Sequence, residues 1–188
     1  MADAPVGRDT IYRIAGTLEE ARVPFAFIGG VALGAWGIPR ATFDLDVAVA
    51  LDGTSLETVF GAFERRGLVL DPVFSRGFRD RVGGMEKVHV HVPTGATLLA
   101  VDVFLAGSPF LKSVLIRRRT VDLGRGPVPI CTAADLIVFK LIADRWKDRA
   151  DIENLITIQG VPEREYLEKW AEELGVRDRL ERTLKALG

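Results

Sequence analysis

Apolar residues recur at helical spacing through Ile11, Ile14, Ala15, Leu18 and Ala21, which predicts a helix over Thr10 to Val23, ended by Pro24. Phe25-Ala-Phe-Ile28 is a short apolar run stopped by Gly29-Gly30, the pattern of a buried strand entering a tight turn. Val31 to Trp36 is small and apolar and fits a short helix. Phe43 to Leu51 alternates as Asp-Leu-Asp-Val, a strand with acids on one face and apolar groups on the other. Ser55 to Arg66 reads as an amphipathic helix closed by Gly67. A Gly- and Arg-rich connection spans Ser75 to Gly84. Glu86 to Val92 alternates as Lys-Val-His-Val-His-Val, and Leu98 to Leu105 is a strand with Asp102 set between Val101 and Val103. Pro127 to Cys131 closes the strand-rich part. Thr132-Ala-Ala-Asp135 has the form of a capping box, and the pattern from there to Gly188 is helical, broken by Gly160-Val-Pro162 and Gly175.

This order predicts an α/β (α+β) architecture, a mixed sheet flanked by helices. Residues 1–131 form the core and residues 132–188 a set of helices packed on it. Each C-terminal helix is too short to stand alone and needs the sheet or its neighbours to bury its apolar face. The chain has 188 residues, 48% hydrophobic and 27% charged, a globular composition able to bury a core without disulfides. One cysteine, Cys131, forbids an intramolecular disulfide and favours a reducing cytoplasm; it reads as a small core residue. The segment MADAPVGRDTIYRI has no apolar region of the signal-peptide type, and no apolar run approaches the roughly 20 residues of a membrane helix. A formal charge of −1 argues against nucleic-acid binding through bulk charge.

Carboxylates at i and i+2 on a strand project from one face, about 7 Å apart. Asp44 and Asp46 do so, with Leu45 and Val47 turned to the core. A lone pair of this kind is commonly a solvated edge. Asp102, a third acid inside an apolar strand, changes that reading. Like charges converging on one sheet face repel, and divalent cations relieve the repulsion. Carboxylate oxygens are the hard ligands magnesium prefers. Upstream, Gly29-Gly30 lets the backbone approach a phosphate closely ahead of a helix N-terminus.

Gly29-Gly30, then Asp44-Leu-Asp46 after a 13-residue gap, then Asp102 on a later strand, resembles the nucleotidyltransferase superfamily that includes DNA polymerase β. The stretch from Phe27 through Arg40-Ala-Thr42-Phe-Asp44-Leu-Asp46-Val looks like the minimal bacterial nucleotidyltransferases, and nearest to the AbiEii-type abortive-infection toxin group. The distal run Lys140-Leu-Ile-Ala-Asp-Arg145-Trp-Lys147-Asp148-Arg-Ala-Asp151 matches that group's Lys/Asp signature. The resemblance implies the nucleotidyltransferase fold. It implies two Mg2+ ions held by Asp44, Asp46 and Asp102, with Asp102 also a base for the acceptor hydroxyl. It implies that Gly29, Gly30, Arg40, Thr42, Lys140 and Asp148 bind a nucleoside triphosphate such as ATP. The acceptor is then an RNA, such as a tRNA 3′ end, or a partner protein, with a cognate antitoxin as a further partner. A small antibiotic is the alternative acceptor, and a non-catalytic, antitoxin-like module that kept the fold is the alternative of another class. A metal-dependent hydrolase would need a His-rich ligand set that this sequence lacks.

The other polar positions have plainer readings beside the functional ones. Arg40 and Thr42 also fit a loop arginine and a strand-start threonine. Arg145, Asp148 and Asp151 fit an ion-pair network between helices, and Lys147 and Asp151 fit an i, i+4 pair worth a few tenths of a kcal/mol. His89 and His91 share a strand face, lack a third soft ligand and read as ordinary strand residues. If their strand pairs with that of Asp102, they flank the acceptor site. Arg76, Arg79 and Arg81, and the run Arg117-Arg118-Arg119, read as a solvated loop and a solvated strand end, with RNA phosphate contact as the functional alternative.

Overall fold

The computed structural model describes residues 5–94 and 97–187; Met1 to Ala4 of the N-terminal segment read above, and Gly188, lie outside the described residues. The elements run α1 (Arg8–Glu20), β1 (Phe25–Phe27), α2 (Gly29–Ala35), β2 (Asp44–Val49), α3 (Leu56–Arg65), β3 (Val69–Leu70), α4 (Pro72–Ser75), β4 (Asp80–Val82), β5 (Met85–Thr94), β6 (Thr97–Leu105), α5 (Pro109–Arg117), β7 (Arg119–Asp122), β8 (Pro127–Ile130), α6 (Ala133–Ala143), α7 (Trp146–Gln159), α8 (Arg164–Glu173) and α9 (Arg177–Ala186). The strands make one eight-stranded mixed sheet in the order β3-β5-β6-β2-β1-β8-β7, with β4 paired to β5.

Strand parity explains how one sheet serves two purposes. Leu45, Val47 and Val49 of β2, Val88 and Val90 of β5, and Val101 and Val103 of β6 are fully buried and form the apolar face. Burying each such side chain contributes ~1.5–3 kcal/mol. The alternate residues, Asp44 and Asp46, Lys87 and His89, and Asp102, therefore share the other face. β2 and β6 run parallel, β5 and β6 antiparallel, and β1 and β2 antiparallel.

Two stretches differ from the reading of the sequence. The connection from Ser75 to Gly84 is not all loop: β4 turns back on β5 through Gly83 and Gly84, both at positive φ. Two consecutive glycines in the left-handed region are what a tight hairpin of this kind demands. The arginine run fits a strand end only at Arg119, which opens β7. Arg117 ends α5, whose N-cap Ser108 accepts a hydrogen bond from the Leu111 N–H and whose first helical residue is Pro109.

The capping box at Thr132 is present: the Thr132 side chain accepts from the Asp135 N–H, and the Asp135 carboxylate accepts from the Thr132 N–H. It starts α6, which packs against α2, α7 and α8. Phe110 of α5 contacts Phe139 of α6 and Trp170 of α8, with ring centroids 5.0 and 5.3 Å apart. One apolar core thus continues from the sheet into the C-terminal helices, with Cys131 inside it. Among the described residues no helix is long and apolar enough to cross a membrane.

Candidate active site

β1 ends at Phe27, and Ile28 caps α2, so the chain reverses through Gly29. Gly29 sits at φ +59°, and a Cβ built on it would lie 2.0 Å from Oδ2 of Asp46. Both facts require glycine: the conformation is left-handed, and the space is taken by a carboxylate. A Cβ on Gly30 would lie 2.6 Å from Oγ1 of Thr42. Thr42 in turn donates to the Asp44 carboxylate at 3.0 Å. The glycine pair therefore makes room for the two acids and for the threonine that orients one of them.

Asp46 and Asp102 are direct partners in the β2–β6 register. Asp44, Asp46 and Asp102 line a cleft of about 260 Å3 with Gly29, Gly30 and Arg40, closed on the far side by Lys140, Arg145, Lys147 and Asp148. Thr42 stands behind Gly30 and Asp44, outside that lining. Burial, and then the charges of Asp44 and Asp102, push the Asp46 carboxyl up to about 7, with Arg145 and Lys87 pulling it only part of the way back.

Asp102 is differently placed. Its Oδ2 lies 2.6 Å from Nζ of Lys87, and its Oδ1 lies 2.5 Å from Nδ1 of His89. His89 is opposite Asp102 in the β5–β6 register, so the strand pairing that brings His89 to the site holds; His91 pairs instead with Ala100 and Val69. On the outer side, Oδ2 of Asp80 lies 3.4 Å from Nε2 of His89 and 3.7 Å from Lys87. Lys87 was missed in the sequence. The alternation of Lys87, His89 and His91 puts it on the right face, but only the register shows which acid it meets.

The far wall is an ion-pair network. Lys140 is buried, with Nζ 3.1 Å from Oδ1 of Asp148 and 2.6 Å from Oδ2 of Asp151. Arg145 donates twice to the fully buried Asp148, from Nε at 2.6 Å and Nη2 at 3.2 Å. Burial alone would raise the Asp148 carboxyl, but the hydrogen bonds and charges of Arg145 and Lys140 hold it below the usual carboxylate range. Arg40 reaches Oδ2 of Asp151 at 3.4 Å. The i, i+4 pair expected between Lys147 and Asp151 does not form, because Asp151 faces inward to Lys140 and Arg40. Lys147 faces the cleft and makes no ion pair among the described residues.

Three arginines of the two clusters are held by groups outside the cleft lining. Arg79 donates to the carbonyls of Phe74 and Phe78, Arg81 pairs with Glu86 at 2.7 Å, and Arg117 pairs with Glu163 at 2.7 Å while stacking on Tyr166.

Asp44 and Asp46 suit magnesium. They present hard oxygens to the cleft, and Asp46 is pushed up first by its burial and then by the neighbouring charges of Asp44 and Asp102. Asp102 has both oxygens engaged, and among the described residues no three His, Cys, Asp or Glu side chains converge as a ready-made metal cluster.

No protein-family model matches this sequence, and no curated protein matches it significantly. Solved structures do match. An antigenic nucleotidyltransferase-like protein from Paracoccidioides brasiliensis is 19% identical, with 97% of this chain and 95% of that one covered at a TM-score of 0.56. The antibiotic-resistance factor ANT(2'')-Ia is 15% identical over 95% of this chain and 93% of that one, at 0.57. The lincosamide antibiotic adenylyltransferase LnuA, lincomycin-bound, is 13% identical over 83% and 100%, at 0.57. The chain has the nucleotidyltransferase fold.

Proposed function

We propose that this chain transfers a nucleoside monophosphate from a nucleoside triphosphate to an acceptor hydroxyl. The observation that supports this most is the crowding of Asp44, Asp46 and Asp102 on one sheet face, beside a glycine turn shaped around the Asp46 carboxylate. A binding module gains nothing from holding three repelling acids together. In this reading Asp44 and Asp46 hold magnesium with the triphosphate, and the metal supplies Lewis-acid stabilisation of charge developing on the transferred phosphoryl group.

The residues divide the remaining work. Thr42 fixes the Asp44 carboxylate, and Gly29 and Gly30 leave the main chain open to the triphosphate. Lys147, unpaired and facing the cleft, meets the triphosphate as a point charge. Arg145 assists from its more exposed edge. Lys140 and Asp148 bind each other, and so act on the nucleotide through the placement of Arg145 and Lys147. Asp102, held from two sides, receives the acceptor's proton.

For the acceptor we favour a small, amine-bearing molecule with a hydroxyl group. Asp80 and Asp102, set against the single lysine Lys87, leave the acceptor side net acidic, and Arg79, Arg81 and Arg117 are held by other residues. The antibiotic-acting proteins with the same fold, ANT(2'')-Ia and LnuA, are in line with this choice. The resemblance to the AbiEii-type group supports the second reading, transfer to RNA or to a partner protein in a toxin–antitoxin pair. Incubation with magnesium, each labelled triphosphate, and separate arms of aminoglycosides and lincosamides, total tRNA, and protein decides among them. Label on a small molecule supports the favoured acceptor, label on RNA or protein supports the second reading, and label on none contradicts the activity.

A further inference from the structure

We infer that Lys87 is a built-in counter-cation for Asp102, so that this chain holds one divalent cation, at Asp44 and Asp46, in place of two. The inference rests on the function proposed above and specifies how its metal site is built.

Lys87 is almost wholly buried, its side chain 11% exposed. A buried ammonium persists only where an anion and further contacts replace its water. Asp102 supplies the anion at 2.6 Å, and the Phe104 ring, 5.8 Å from Nζ to its centroid, supplies a weaker electrostatic contact. Asp80 does not replace Asp102 in this role, being 3.7 Å away and 42% exposed. The backbone enforces the arrangement. Lys87 lies opposite Phe104 and His89 opposite Asp102, so two successive residues of one face of β5 reach the same carboxylate. His89 then takes the oxygen that Lys87 leaves.

The charge count follows. Three ionised carboxylates carry −3, and Lys87 brings the group to −2. Before a triphosphate binds, one divalent cation neutralises that charge, whereas two would leave the cluster net positive beside Arg145 and Lys147. A second ion on Asp102 would also sit against the Lys87 ammonium and repel it. Lys87 is thus a positioning residue: it acts through Asp102, keeping that carboxylate turned toward β5.

Counting bound Mn2+ by electron paramagnetic resonance tests this in the full chain, with and without a triphosphate whose α,β bridge cannot be cleaved. Wild type is expected to bind one Mn2+ per chain with no manganese–manganese coupling. Lys87→Gln is expected to bind two, with coupling. Lys87→Arg, which keeps the charge, should return the count to one. Two ions in wild type, or one in Lys87→Gln, overturn the inference and leave the proposed function standing. No Mn2+ in wild type, even with the triphosphate, overturns both. Should Lys87→Gln fail to fold, the wild-type count decides alone.

Discussion

Two groups of carboxylates face each other across the cleft. On α7, Asp148 and Asp151 meet Lys140, Arg145 and Arg40, and every buried charge has an opposite within 3.4 Å. On the sheet, Asp44, Asp46 and Asp102 share one lysine, and the Asp46 carboxyl is driven up to about 7. The first group is balanced and acts as a fastening between α6, α7 and the Arg40 loop. The second meets fewer cations, and in the metal-free chain the Asp46 carboxyl relieves the crowding by keeping its proton to about pH 7. Residue type does not separate the two groups; the number of cations each meets does.

Removing an acid from each side should break the comparison in opposite directions. Asp44→Asn and Asp46→Asn are expected to lower nucleotidyl transfer by more than ~10³-fold, the scale of losing a principal electrostatic stabiliser. Their melting temperatures in chelator should hold or rise. Asp148→Ala should do the reverse in kind, leaving Lys140 and Arg145 without their shared partner. Because Lys140 keeps Asp151 and Arg145 is largely exposed, a loss of ~1–3 kcal/mol in urea unfolding is expected.

Gly29→Ala sits between these cases. The left-handed backbone costs about 1–2 kcal/mol for a residue with a Cβ, and the added methyl displaces the Asp46 carboxylate. Stability should fall modestly in chelator, and magnesium affinity should fall with it.

The smallest effect concerns pH in metal-free protein. Asp46 holds its proton to about pH 7 when folded but releases it near the ordinary carboxylate value when unfolded. Its contribution to stability is therefore full below that ordinary value and lost as pH rises through about 7. Urea midpoints measured from pH 4 to pH 8 in chelator should show this decline in wild type, and a shallower one in Asp46→Asn.

Much of the cleft was readable in the sequence because its signals are local. The spacing of Asp44 and Asp46, the Gly29-Gly30 stop and the Thr132 capping box each depend on residues a few positions apart, where strand and helix periods suffice. What could not be read depends on distant partners. Lys87 needed the β5–β6 register, and the choice of Asp151 between Lys147, four residues away, and Lys140 and Arg40 needed the packing of α6 on α7. The partners of Arg117 needed the packing as well, since Glu163 and Tyr166 lie at the start of α8, whereas Arg79, Arg81 and Arg118 meet groups within five residues. The hairpin at Gly83-Gly84 was visible in principle, but three residues of β4 are too few to show an alternation.

In the proposed function the under-balanced acids, and not the balanced ones, take up a metal-bound triphosphate. Thermal unfolding of wild type and Asp46→Asn in chelator, and then with magnesium and a non-hydrolysable triphosphate, tests it most directly. Wild type should melt no higher than the variant in chelator and rise sharply with magnesium and triphosphate, while Asp46→Asn should not respond. Equal responses in the two proteins, or no response in wild type, would rule out Asp46 as the metal–triphosphate ligand.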